Sequence, residues 1–79
     1  MELKALAEGL KFEQALFWMK GGFRVKRASW PQNAYIRISE YAPGRQGIVA
    51  TVVSPGLTSN SIMALGAEEL LAEDWQLVI

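Results

Sequence analysis

MELKALAEGLKFEQALFWMKGG, residues 1–22, followed by FRVKR, residues 23–27, contains the change of hydrophobic period that decides the fold class. Leu3, Leu6 and Leu10 recur at spacings of three and four, as on one side of a helix. Phe12, Ala15, Leu16 and Met19 repeat the pattern one step on, with Phe17 and Trp18 outside the stripe. Gly9 interrupts it. The spacing predicts a short leading helix or extension over 1–10, then a main helix from about Phe12 to Lys20, ended by Gly21-Gly22.

From Phe23 the period becomes two: Phe23, Val25 and Arg27 on one face, Arg24, Lys26 and Ala28 on the other. Ser29 to Asn33 reads as a loop around Trp30-Pro31. Ala34 to Tyr41 is a second strand, with Ile36 and Ile38 opposite Tyr35, Arg37, Ser39 and Tyr41. Residues 42–47 form a turn, and Ile48 to Ser54 a third strand apolar on both faces. Pro55-Gly56 opens a loop through Asn60, and Ser61 to Leu65 is a short strand. One helical turn follows from Gly66 or Ala67, its acids suiting a helix start. Asp74 to Ile79 alternates again. The sum is an α+β domain of 79 residues, one main N-terminal helix packed on a mostly antiparallel sheet of about four to five strands.

Composition narrows the chemistry. The chain has no His and no Cys, which removes the common triads, thiolate chemistry and the usual zinc sites. No metal, no cofactor and no enzymatic activity are expected. The formal net charge is zero, so a dedicated nucleic-acid binder is disfavoured. No apolar run approaches the roughly 20 residues of a membrane span, and MELKALAEGL lacks the apolar centre of a signal peptide. A cytoplasmic location is the default. With 51% hydrophobic residues in so short a chain, self-association is the expected means of stabilisation. Phe17 and Trp18, adjacent and off the inward stripe, are the candidate interface.

Arg27 falls in phase with Phe23 and Val25, on the face that should be apolar. Two readings stand: an ion pair with Asp74 or Glu69, or a bidentate ligand for phosphate or carboxylate. Trp30 either caps the core or offers a flat stacking surface. Tyr35 and Arg37 project from the next strand and make an aromatic and cationic corner with it. The carboxylates of ELLAEDW, residues 69–75, read as helix-end and turn residues rather than an acid/base pair, and GRQG, residues 44–47, as a hairpin turn.

The order of these motifs carries a resemblance. It runs Phe12-Glu13-Gln14-Ala15-Leu16, Gly22, Val25-Lys26-Arg27-Ala28-Ser29-Trp30, Tyr35-Ile36 and Leu70-Leu71-Ala72-Glu73-Asp74-Trp75. Over residues 11–79 the chain resembles the small phage domain family that includes the second class of Thoeris anti-defence proteins. Residues 1–10 look like an extension to that core. The resemblance implies a homo-oligomer, a tetramer favoured over a dimer, acting in the cytoplasm of the infected bacterial host. It implies binding of a cyclic nucleotide-type immune signal, a cyclic ADP-ribose isomer or a cyclic dinucleotide, without cleavage. On that reading Arg27 pairs with phosphate, Trp30 and Tyr35 wall the base, Asn60 and Glu69 meet ribose or base, and Arg37 and Asp74 complete the set. Met63, Gly66 and Glu69 stand where the family often has Trp, Ser or Thr, and Asp, which removes a stacking surface and a hydroxyl. The second reading is a phage structural or protein-interaction module that uses Phe17 and Trp18 on a host or virion protein. The third is a single-strand nucleic-acid binder.

Overall fold

Two Pro-Gly dipeptides organise half of the sheet. Pro43-Gly44 joins β3 (Ala34–Ala42) to β4 (Arg45–Ser54), and Pro55-Gly56 joins β4 to β5 (Leu57–Ile62). Gly44 and Gly56 sit at φ of 73° and 76°. Proline presets the first turn position and only glycine takes the left-handed second one without strain, so each dipeptide makes a two-residue hairpin. The computed structural model describes residues 4–79. Its remaining elements are β1 (Ala5–Leu10), α1 (Phe12–Lys20), β2 (Arg24–Arg27), α2 (Ala67–Leu71) and β6 (Trp75–Val78). One sheet has the order β1-β6-β2-β3-β4-β5, every pair antiparallel.

This corrects the expected architecture. The protein is mostly β, six antiparallel strands in one sheet with two short helices, not one main helix on four to five strands. β1 is the additional strand. The short strand expected over residues 61–65 is instead β5, Leu57–Ile62, which begins in the segment read as a loop because Pro55-Gly56 closes a tight hairpin. These two are the edges. Residues 5–10 pair with β6, and the register slips between Ala5 and Ala7 and again between Ala7 and Leu10. Each slip puts an extra residue between inward positions, so Ala7 and Leu10, the half-buried pair, lie three apart. The spacing of Leu6 and Leu10 that read as helical therefore marks no buried stripe, since Leu6 is exposed; Leu3 lies outside the described residues. At the other edge, all six residues of β5 are exposed, and LTSNSI carries no apolar alternation to announce a strand.

The rest of the sequence pattern is realised. Helix α1 buries Ala15 and Met19 with Phe12 and Leu16 beside them, against Val25, Ile36, Trp75 and Leu77 of the sheet. It ends at Gly21 and Gly22, whose N–H groups donate to the carbonyls of Trp18 and Met19. Trp75 is fully buried. It meets Phe12 and Trp30 edge-on, each at 5.5 Å between ring centroids. Its indole N–H donates to the Glu69 carbonyl at 2.9 Å, tying α2 to the core. Burying a ring of this size contributes about 1.5–3 kcal/mol or more, so Trp75 is the largest single apolar contribution at the centre. α1 thus packs on one face of the sheet, with α2 tied beside it; among the described residues no helix packs on the other face, where Lys26, Tyr35, Val49, Thr51 and Val78 are nonetheless buried among their neighbours.

Candidate functional site

The antiparallel register decides which side chains share the uncovered face. Val25 pairs with Ile36, which sets Arg24 across from Arg37 and Lys26 across from Tyr35. Further along, Arg37 pairs with Val49 and Tyr35 with Thr51, then Val49 with Ile62 and Thr51 with Asn60. One cross-strand row therefore runs Arg24, Arg37, Val49, Ile62. The next runs Lys26, Tyr35, Thr51, Asn60. The guanidinium of Arg24 lies over the Tyr35 ring, 5.1 Å from its centroid. The buried Thr51 hydroxyl donates to Asn60 Oδ1 at 2.7 Å, which fixes the amide and leaves its NH₂ as the outward donor. Arg37, Tyr41, Val49, Asn60 and Ile62 line a cavity of about 280 Å³ together with Glu40, whose carboxylate accepts from the Gly44 N–H at 3.3 Å and stays more than 4.0 Å from Arg37.

The charges here are not balanced. Among the described residues, no carboxylate approaches Arg24 or Arg37 within the 4.0 Å of an ion pair. Like charges set opposite each other on neighbouring strands are destabilising. An arrangement of this kind is suited to an anion that neutralises both.

The helix-covered face resolves its charge differently. Arg27 Nε donates to Asp74 Oδ1 at 2.9 Å and Nη2 to Oδ2 at 3.3 Å. Nη1 lies 3.7 Å from the exposed Glu68 carboxylate. Hydrogen bonding from Arg27 holds the Asp74 carboxyl below its ordinary range, against the opposing effect of desolvation. The Asp74 hydrogen bond likewise raises the already high pKa of Arg27. Of the two readings of Arg27, the geometry is that of the ion pair with Asp74. Trp30 is half-buried: it caps the core against Trp75 and also lines two cavities. The Glu69 carboxylate accepts from the Gly66 N–H at 3.5 Å.

The sequence-derived set therefore divides. Tyr35, Arg37 and Asn60 come together on the uncovered face; Arg27, Glu69 and Asp74 belong to the covered side; Trp30, at the end of the sheet, packs on Trp75 and also lines a small cavity of about 160 Å³ with Tyr35 and Thr51, apart from Arg37. Phe17 is 68% exposed, Trp18 half-buried, and the two rings meet edge-on at 5.5 Å. Phe23 extends the group, 5.4 Å from Trp18. The sequence reading missed Arg24, whose importance rests on the β2–β3 register. Met63 packs against the core, so the place where the family often has a Trp is filled by an apolar side chain. Among the described residues there is no cluster of three metal-ligating side chains, and no helix is long and apolar enough to cross a membrane.

A single antiparallel sheet closed on one side by helices, with an uncompensated cationic row on the other, defines a small mostly-β domain with an open polar face. Residues 10–78 match the model of the Thoeris anti-defense 2-like domain, and the chain belongs to that family, so its role lies in anti-defence against Thoeris. No curated protein matches the chain, and no solved structure does.

Proposed function

We propose that the protein counters Thoeris by sequestering a cyclic nucleotide-type signal, a cyclic ADP-ribose isomer or a cyclic dinucleotide, without cleaving it. The observation that carries this reading is the opposed pair Arg24 and Arg37, uncompensated by any carboxylate of the described residues, beside the Tyr35 ring and the Asn60 amide. Phosphate oxygens bridge the two guanidinium groups through charge-assisted hydrogen bonds. Asn60, held by Thr51, donates to an acceptor on ribose or base. A chain with no His and no Cys carries no ready nucleophile–base pair, which favours holding over hydrolysis.

The cavity of about 280 Å³ lies at the small end of ligand pockets, roughly 300–1,000 Å³. A second copy of the chain supplies the missing wall, and the exposed Tyr41 and Ile62 beside Arg37 are the side chains it would cover. Self-association to a tetramer through surfaces that include Phe17 and Trp18 belongs to the same proposal. It places the protein in the cytoplasm of the infected host, where the signal is made.

Calorimetry with a panel of cyclic ADP-ribose isomers and cyclic dinucleotides tests the reading. Binding of one member with return of unchanged ligand is the expected result; no heat from any of them removes it. A Trp18→Glu variant should sediment as a smaller species. If it sediments unchanged, Phe17 and Trp18 are free for another protein. The exposed Phe17–Trp18–Phe23 group favours that second reading, a module that docks on a host or virion partner.

A further inference from the structure

Lys26 is a lysine that the sheet has almost closed over. It is 5% exposed, although it points to the face that no helix covers. Gln76 on β6 is its register partner, and Tyr35 flanks it on β3. Among the described residues no carboxylate lies within 4.0 Å of its ammonium, and no protein acceptor bonds it. No buried side-chain nitrogen or oxygen among the described residues is sealed off without a partner, so the ammonium opens into space rather than into packed apolar groups. That space is a cavity of about 260 Å³ lined by Lys26, Gln32, Gln76, Trp30 and Glu8 together with small apolar side chains. The stem of Lys26 is packed in the sheet, so its ammonium is held at the cavity wall with its donors free for an occupant of the cavity.

We infer that this cavity is an oxyanion site of its own, separate from the Arg24–Arg37 row, for a single phosphate group. Lys26 supplies the charge. The carboxamides of Gln32 and Gln76 supply neutral donors from two other segments, and three convergent donors suit the several oxygens of a tetrahedral anion better than the two of a carboxylate. Gln76 Nε2 already donates to Glu8 Oε1 at 3.1 Å, which holds that amide in place and leaves its second N–H. Glu8 is the one acid at the rim. It opposes the anion and limits its affinity.

The test uses the full chain carrying Arg24→Ala and Arg37→Ala, so that phosphate cannot report from the neighbouring row. Inorganic phosphate and, separately, adenosine 5′-monophosphate are titrated while the side-chain amide resonances of Gln32 and Gln76 are followed. Saturable shifts in both amides are expected. They should disappear in Lys26→Met and persist in Lys26→Arg, and Glu8→Gln should tighten binding severalfold. Tighter binding of inorganic phosphate assigns the site to the free ion; tighter binding of the monophosphate assigns it to the phosphoryl group of a nucleotide. Should Lys26→Met not fold, the exposed Gln32→Ala replaces it and should weaken binding severalfold. Amides silent to both probes, or shifting equally without Lys26 or Gln32, overturn the inference. Because the Arg24–Arg37 row is absent from the tested protein, failure here leaves the sequestration reading intact, and the reverse also holds.

Discussion

The two faces of the sheet treat the same residue type in opposite ways. On the covered face Arg27 is met by two oxygens of Asp74. On the open face Arg24 and Arg37 oppose each other, with no acid among the described residues to separate them. Arg27 is part of how the molecule stands up; the open-face arginines cost stability and keep their hydrogen-bonding capacity for something else. Charge type alone does not distinguish these roles. What does is whether a counter-charge has been folded in beside the cation.

The strongest way to break this contrast is at the covered face. Trp75→Ala should cost about 3–5 kcal/mol, a large part of the roughly 5–15 kcal/mol that holds a domain together. Urea denaturation followed by circular dichroism would show a protein unfolded or nearly so at room temperature; a cost near 1 kcal/mol would mean that the covered face is not the stabilising one. On the open face, Arg37→Ala should weaken ligand binding about tenfold to hundredfold, the equivalent of a charged hydrogen bond of about 1.5–3 kcal/mol. Its melting temperature should hold or rise, because Arg24 loses a like-charged neighbour. A fall in melting temperature with affinity intact would reverse the assignment of the two faces.

The smallest expected effect concerns the ion pair. Asp74 titrates lower in the folded protein than in the unfolded chain. Its contribution is therefore complete above the ordinary carboxylate value of about 3.9 and is lost as pH falls through the lower folded value. Asp74→Asn should melt a few degrees below the parent at pH 7, and the two curves should converge as the pH falls below the ordinary carboxylate range. Partial solvent exposure keeps the difference small. Parallel curves across that range would show that the pair contributes nothing.

How much of this could be read in the sequence follows from where each residue's burial originates. Phe12, Ala15, Leu16 and Met19 announce α1 because one helix face is buried by one sheet. Ile36 and Ile38 announce β3 for the corresponding reason. Arg27 stood out by breaking the alternation of its strand, and its partner Asp74 was among the acids named for it. The edge strands were not legible. In β1 only Ala7 and Leu10 turn inward while Leu6 is exposed, so its leucine spacing misled, and β5 has no buried side to mark. The uncovered face was legible only in part, because a cross-strand row is written in four separate segments. Tyr35, Arg37 and Asn60 were found one at a time, while Arg24 and Lys26 looked like ordinary solvated residues until the register joined them. For Trp30 the sequence left core capping and stacking both open, because a loop tryptophan looks alike whether it faces a pocket or the core; in the fold it packs on Trp75 and also lines two cavities.

The position of β6 in the strand order has a consequence for how the molecule comes into being. The segment that joins β1 to β2 is the last of the six to leave the ribosome. Until residues 75–78 are synthesised, β1 has no strand to pair with, α1 lacks the indole it packs on, and β2 has an open side. The contacts between β1 and β6 span nearly the whole chain, so closing them carries the largest loop-entropy cost in the fold and should set its rate. Domain formation must therefore follow translation of these residues, and a chain cut just before Trp75 would be left as a helical arm and a bare meander that share no centre.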